Sequence, residues 1–246
     1  MSNQLIYEKL KLLKLSHFAK NLETNFQNYK NQEYDFYEIL NMLLDAEINQ
    51  RHNQKIQNLI KSAKLRYNNA TLEEIDYSAS RQLKRSDISY LFDSEWIKNN
   101  QSLIITGATG TGKTWLGCAF ANQACRLETR TLFVTANQLF EDLHLSMLDG
   151  SITKTKQKYI KPTLLVIDDF GLGGIDANLC PTFHEIIDEQ SKHGGLMITS
   201  QFPTEKWYSF FENSSTADSI LDRIVHRANL IELQGESMRK KRSRSN

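Results

Sequence analysis

Eight residues at positions 107–114, Gly-Ala-Thr-Gly-Thr-Gly-Lys-Thr, follow the short apolar run Ser102–Thr106 and lead into a helical stretch, Lys113–Leu127. They fit G-x-x-x-x-G-K-[ST], a pattern whose chemistry requires a strand before it and a helix after it. Glycine lets backbone N–H groups curl around phosphate oxygens with no Cβ in the way. The helix start adds its partial positive charge. Lys113 can reach the β- and γ-phosphates of a nucleoside triphosphate, and the Thr114 hydroxyl can bind Mg²⁺. The expected phosphate cradle is therefore Gly107, Ala108, Thr109, Gly110, Thr111, Gly112, Lys113 and Thr114. A glycine-rich turn with a stray lysine is the plain alternative.

A second motif weighs against that alternative. Leu164-Leu165-Val166-Ile167 is an aliphatic run of the kind that makes a buried central strand, and Asp168-Asp169 follows it. Parallel sheets bind ligands at the carboxyl ends of their strands, where these acids emerge. Asp168 is expected to hold Mg²⁺, directly or through water, and Asp169 to orient or deprotonate an attacking water. Further on, Leu196–Thr199 is another strand, ending in Ser200 and Gln201 before Pro203. Ser200 and Gln201 are candidates for a polar contact to the γ-phosphate, or simply for a strand-end turn.

Around these motifs the chain changes texture. Residues 1–100 contain neither Pro nor Gly, which favours helices. Leu5 to Leu22 reads as one amphipathic helix. Asp35 opens a second run, with Phe36, Ile39, Leu40, Leu43, Leu44 and Ile48 at helical spacing, extending to about Leu65. Asn68–Ala70 and the capping pattern Thr71–Glu74 mark a break. Residues 1–70 thus form a helical domain, and 71–100 a lead-in to the domain at 71–246. Beyond Asn100, strands at 102–106, 131–135, 163–167, 196–199 and 230–233 alternate with helices at 113–127, 137–148 and 177–192. That order is a parallel α/β sheet with helices on both faces.

Composition sets bounds. A net charge of +1 neither requires nor excludes nucleic acid, because local patches can hide in a balanced total. Cys118, Cys125 and Cys180 have no metal-ligand spacing and are expected to be buried and reduced. No apolar segment is long enough to span a bilayer, and the N-terminal residues lack a signal-peptide core, so a cytoplasmic protein with no membrane partner is expected.

The blocks GATGTGKTWLGCAFANQACR, LLVIDDFGL, ITSQFPTEKWY, ADSILDRIVHRA and IELQGESMRKKR occur in this order. Together with the Leu-rich start KLKLLKLSHFAKNLE and the linker IDYSASRQLKRSDI, they resemble the IstB-like family of insertion-sequence ATP-binding proteins, relatives of the DnaC helicase loaders. The resemblance covers essentially the whole chain. It implies an AAA+ P-loop domain, with ATP and Mg²⁺ as cofactors, and a small helical N-terminal domain that binds DNA or a partner. It also implies self-association through the ATP sites, non-sequence-specific duplex DNA binding and a transposase partner. Arg223 in ILDRIVH matches the AAA+ arginine finger, with a helix-surface salt bridge as the plain alternative, and Arg239 in GESMRK matches the second sensor arginine. Only 13 residues follow Leu233, too few for the usual helical lid. Most AAA+ proteins carry Glu where Asp169 stands, so a non-hydrolysing nucleotide switch stays open.

Three basic clusters are candidates for phosphate contacts. They are Arg51, Lys55, Lys61, Lys64 and Arg66; Lys154, Lys156, Lys158 and Lys161; and the basic tail within 235–246. Each is equally compatible with a solvated surface. Related initiator ATPases carry DNA-contacting elements between the two nucleotide motifs, which favours Lys154, Lys156 and Lys158. No helix-turn-helix or zinc-finger pattern occurs, so base readout is not expected. The expected function is an ATP-dependent DNA-binding protein assisting a transposase. A helicase loader is the alternative on the same fold. A small-molecule kinase would need an acceptor lid for which residues 150–162 offer only lysines.

Overall fold

The computed structural model describes residues 2–32, 34–77, 82–212, 214–235 and 237–238. The chain forms two compact units, Met1–Asn58 and Leu59–Asn246.

The first unit contains α1 (Ser2–Leu12), α2 (Ser16–Asn31) and most of α3 (Phe36–Ala63). The single helix expected over Leu5–Leu22 is two, broken at Lys14, whose φ of 57° is left-handed. Neither Gly nor Pro marks the break, so helical periodicity runs across it unannounced. The start of α3 follows its sequence signal. The Asp35 backbone N–H donates to Glu38 Oε2 at 2.9 Å, and the Glu38 N–H donates to Asp35 Oδ1 at 2.8 Å, a reciprocal capping box.

Glu47 ties these helices together. Its side chain is buried, as are those of Phe18, Ala19 and Leu43 among the described residues of this unit. Its carboxylate accepts the backbone N–H groups of His17 and Phe18, both at 2.9 Å, and Arg51 Nε at 2.7 Å. The first amides of a helix have no intrahelical acceptor, so α3 supplies one for α2. Burial alone would raise the Glu47 pKa, but the Phe18 amide, the Arg51 guanidinium and the His17 amide together hold it below its ordinary 4.5. A lowered folded pKa gives stability that is fully present above the unfolded value and lost as pH falls through the folded one. Glu47→Gln should therefore cost about 1–3 kcal/mol at neutral pH, and less in acid. Denaturant titrations of both proteins at pH 7 and pH 3 read this directly; an equal cost at both pH values would remove the charge from the explanation.

The second unit is built on a parallel five-stranded sheet of order β2-β3-β4-β1-β5, with β1 Ser102–Gly107, β2 Thr131–Thr135, β3 Leu164–Phe170, β4 Gly195–Ser200 and β5 Ala228–Leu233. A strand, β4, lies between β1 and β3. Side chains alternate between two cores. On one face Leu103, Ile105, Val166, Met197 and Ile231 pack with α6 (Lys113–Arg126) and with the lead-in residues from Ala63 to Ile97. That lead-in carries two short helices, α4 (Arg85–Ile88) and α5 (Glu95–Lys98). On the other face Ile104, Val134, Leu165, Ile167 and Ile198 meet α7 (Ala136–Leu148), α8 (Ile152–Ile160), α9 (Cys180–His193) and α10 (Ser214–Val225).

Two details differ from the sequence reading. The lysine-rich stretch before β3 is a helix, α8, anchored by the fully buried Tyr159. Compactness divides the chain inside α3 and not at residue 70, because Ala63, Leu65 and Ala70 pack into the same core as α6. The three cysteines are free and buried, as expected. Burial pushes the Cys118 thiol up to about 11, so it stays protonated. Among the described residues no helix is long and apolar enough to cross a membrane.

Candidate functional site

β1 ends in the loop 107–112 and α6 begins at Lys113, so the strand–loop–helix setting is present. Gly107, Gly110 and Gly112 have φ of 145°, 85° and 96°, values an L side chain rarely adopts. A Cβ on Gly107 would stand 2.2 Å from the Leu233 carbonyl oxygen of neighbouring β5. The loop is braced from within. Thr111 Oγ1 and Lys113 Nζ both donate to the Ala108 carbonyl, at 2.9 and 3.0 Å. Ser237 and Met238 return to this loop: the Met238 N–H donates to Gly110 O at 2.8 Å, and a Cβ on Gly110 would lie 2.2 Å from Ser237 Oγ.

The acids of β3 sit at an irregularity in the sheet. From Ile167 to Phe170 strand β3 takes three steps, while β4 takes two, from Ile198 to Ser200. The extra residue makes a bulge, and Asp169 adopts φ 57° there. A bulge re-aims side chains, and here Asp169 lines the cavity described below. Asp168 is fully buried. Its Oδ1 accepts Thr199 Oγ1 at 2.5 Å, while Oδ2 has no hydrogen-bond partner. Burial raises the Asp168 pKa, the Thr199 hydroxyl opposes that shift, the Asp169 charge adds to it, and the nearby Thr114 hydroxyl opposes it again without closing a hydrogen bond to Oδ2 of good geometry. A buried carboxylate oxygen without a donor is costly unless a cation or its water shell completes it. Hard oxygen donors are what Mg²⁺ takes, and the Asp168 carboxylate with the nearby Thr114 hydroxyl could hold one here.

A cavity of about 380 Å³ opens over the loop. Thr109, Gly110, Gly112, Lys113, Thr114, Asp169 and Gln201 line the side formed by the loop and the strand ends. Gln201 Oε1 accepts the Thr109 hydroxyl at 2.7 Å, joining the end of β4 to the loop. Arg66, Tyr67, Glu74, Asp76, Trp115 and Met238 form the remaining wall. The volume suits one nucleotide-sized ligand. That wall comes largely from the lead-in before β1, which no local motif identified.

Other candidates fall elsewhere. Ser200 is fully buried; its hydroxyl donates to Phe170 O at 2.7 Å and accepts the Phe202 N–H at 3.1 Å, away from the cavity. Of the two strand-end candidates the structure brings only Gln201 to the loop. Arg223 lies on α10 and is held within the chain: Nε donates to Asp188 Oδ1 at 2.6 Å, and one terminal nitrogen donates to Ser219 O and Oγ at 2.9 and 2.8 Å. Lys192 first and Arg223 second depress the Asp188 pKa to about 2. Arg239 lies outside the described residues.

The basic clusters are only partly available. Lys156 pairs with Glu185 and Lys158 with Asp142, whereas Lys154 is exposed and has no carboxylate partner among the described residues. Arg51 is committed to Glu47. Lys55, Lys61 and Lys64 are exposed.

Comparison with known proteins agrees with this geometry. The family model described as IstB-like ATP binding protein matches residues 8–246. An insertion-sequence ATP-binding protein of Sinorhizobium fredii, y4pL, is 33% identical over 237 residues, covering 96% of each chain. The ATP-binding protein of insertion sequence IS1162 from Pseudomonas fluorescens is 34% identical over 204 residues, covering 83% of this chain and 88% of its own. Among solved structures, DnaI superposes with a TM-score of 0.60 at 22% identity over 72% of this chain and 94% of its own. The DnaC helicase loader superposes with a TM-score of 0.59 at 19% identity over 69% of this chain and 99% of its own. The sheet order and phosphate loop are those of an AAA+ fold, and the chain belongs to the family of IstB-like ATP-binding proteins.

Proposed function

We propose that the protein is a Mg²⁺-dependent ATPase of the cytoplasm that self-associates on duplex DNA and assists the transposase of its insertion sequence. The observation that carries the hydrolytic part is the strand-end bulge. It separates two adjacent acids into a buried one with an uncompensated oxygen and one facing the cavity beside the phosphate loop. Two roles set by environment are what phosphoryl transfer to water requires.

The residues divide the work as follows. Loop amides and the α6 N-terminus bind the phosphates. Lys113, already seated on the loop, neutralises charge between the β- and γ-phosphates. Asp169 accepts a proton from the attacking water, and Gln201 orients that water from the end of β4. Magnesium, held by Thr114 and Asp168, would supply further positive charge to the phosphate oxygens. Asp169 is one methylene shorter than Glu, and the bulge is what turns it to the cavity.

Lys154 and its neighbours on α8 support the DNA reading, with Lys156 and Lys158 exchanging Glu185 and Asp142 for phosphate when DNA binds. The exposed Lys55 of the first unit and, separately, Lys61 and Lys64 of the second are further candidates for phosphate or partner contacts, as Arg51 is if it exchanges Glu47 for phosphate. The insertion-sequence names of the relatives support a transposase partner over a helicase, since the likeness to helicase loaders is one of fold. Non-specific duplex binding should weaken steeply with salt, because each neutralised phosphate releases a counterion. Changing Lys154, Lys156 and Lys158 together to Ala should weaken binding to all sequences alike. It should also flatten the salt slope by about one unit for each DNA phosphate left without its lysine. Phosphate release with and without duplex, alongside anisotropy titrations over a salt series, tests both parts. A wild type that neither turns over ATP nor binds duplex would sink the proposal, and an unchanged slope in the triple variant would move the DNA-binding surface to residues 1–70 or the tail.

A further inference from the structure

Thr199 lies at the end of β4, is fully buried and does not line the cavity. The β3 bulge places it opposite both acids, because two residues of β3 face this one position of β4. Its hydroxyl serves both. It donates to Asp168 Oδ1 at 2.5 Å and accepts the Asp169 backbone N–H at 3.0 Å. A bulge leaves its extra residue without a ladder partner, and here the hydroxyl takes that place. Only a group that donates and accepts at once can do this, and among side chains of this size that means Thr or Ser. The surroundings keep Thr199 in position. It pairs with Ile105 in β1, and its methyl lies so near α6 that a Cβ on Gly117 would be 3.3 Å away.

We infer that Thr199 is a positioning residue for the metal and hydrolytic groups, acting through Asp168 and Asp169 without touching nucleotide. By taking Asp168 Oδ1 it leaves Oδ2 as the free oxygen for the magnesium shell. By holding the Asp169 amide it fixes the left-handed turn from which that carboxylate faces the cavity. One hydroxyl thereby sets the relative placement of the two acids. The inference deepens the ATPase reading above and rests on it.

The test compares wild type with Thr199→Val, which keeps the shape, Thr199→Ser, which keeps the hydroxyl, and Thr199→Ala. A fluorescent ATP analogue is titrated with EDTA and again with excess Mg²⁺, and turnover of ATP is measured separately. The phosphate loop is untouched, so metal-free affinity should stay within about twofold of wild type in all variants. In Thr199→Val the enhancement of affinity by Mg²⁺ should fall about 10-fold or more, and kcat by about 100-fold, as a hydrogen bond to a charged group is lost and an amide is stranded. Thr199→Ser should restore most of both. Thr199→Ala, which relieves any crowding by Val, should match Val. Full Mg²⁺ enhancement and turnover in Val or Ala would overturn the inference. So would equal losses with and without metal, which mark general damage to the fold. A wild type that binds with Mg²⁺ enhancement but does not hydrolyse ATP would remove the ATPase reading and leave the Mg²⁺ comparison to decide the role of Thr199.

Discussion

Lys113→Ala should bind ATP at least about 100-fold more weakly than wild type, since two charge-assisted contacts to phosphate are each worth about 1.5–3 kcal/mol. The prediction rests on where the amine sits. Lys113 is 5% exposed at the first position of α6, with Nζ 3.0 Å from the Ala108 carbonyl at the far side of the loop. A phosphate entering the loop meets a cation already desolvated by the protein, so little further cost attends the ion pairing. The same position raises an objection: without Lys113 the loop loses a brace. The Thr111 hydroxyl remains on the same carbonyl at 2.9 Å, however, and the Met238 amide still holds Gly110. The loop should therefore survive. Thermal denaturation without nucleotide should show a small change in the variant, while the stabilisation by added ATP seen in wild type should nearly vanish. Isothermal titration gives the affinities. Wild-type affinity in a folded Lys113→Ala protein would place the phosphates somewhere other than residues 107–114.

The strand–loop–helix and the acid-bearing strand were legible in the sequence because their signals are local. Spacing of Gly107, Gly112, Lys113 and Thr114 specifies a loop, and four aliphatics before Asp168 specify a buried strand. What could not be read locally depends on strand order. Thr199 reaches the acids only because β4 inserts between β1 and β3 and because β3 bulges against it. No spacing in the sequence encodes that meeting. The same holds for the wall formed by Arg66, Tyr67, Glu74 and Asp76. These residues read as a helix end and a linker, and become part of the cavity when Leu65, Ala70, Leu72 and Ile75 pack beside α6. Ser200 illustrates the converse: alternation along β4 already puts neighbours on opposite faces, and the hydroxyl next to Gln201 turns inward to Phe170. In the first unit the break at Lys14 was invisible because Lys is compatible with a helix. The chain closes α1 through the left-handed Lys14, with the Lys14 and Leu15 amides donating back to Lys11 O and Leu10 O at 2.9 and 2.8 Å, and Glu47 then caps the start of α2 at His17 and Phe18.

Arg223→Ala and Lys113→Ala, each nearly inactive alone, should recover part of the ATPase activity when mixed. The structure supplies the reason to expect a finger acting between subunits. Within one chain α10 packs on the sheet face opposite α6, and none of its described residues lines the cavity. Arg223 therefore has no short route to its own phosphate loop. Asp188 takes Nε and Ser219 takes one terminal nitrogen, and neither of these contacts uses the other terminal nitrogen, so it is the donor that the trans role would use. A guanidinium there stabilises charge spread over the equatorial oxygens during transfer and contributes about 10³- to 10⁵-fold to turnover in enzymes that use one. Removing it should leave ATP binding intact, in contrast to Lys113→Ala, and should not strand Asp188, which keeps Lys192 at 2.8 Å. Arg223→Lys should remain slow, because an ammonium has its donors on one nitrogen and cannot sit against Asp188 and Ser219 while a second nitrogen reaches a phosphate. In the mixture some interfaces join an intact loop from one variant to an intact finger from the other. Turnover should rise with the product of the two fractions and peak near equal amounts. Co-assembly must be demonstrated separately, by energy transfer between labelled variants in the presence of ATP and duplex. Co-assembly without any recovery would confine Arg223 to its ion pair with Asp188 and make it a structural residue of the α9–α10 contact.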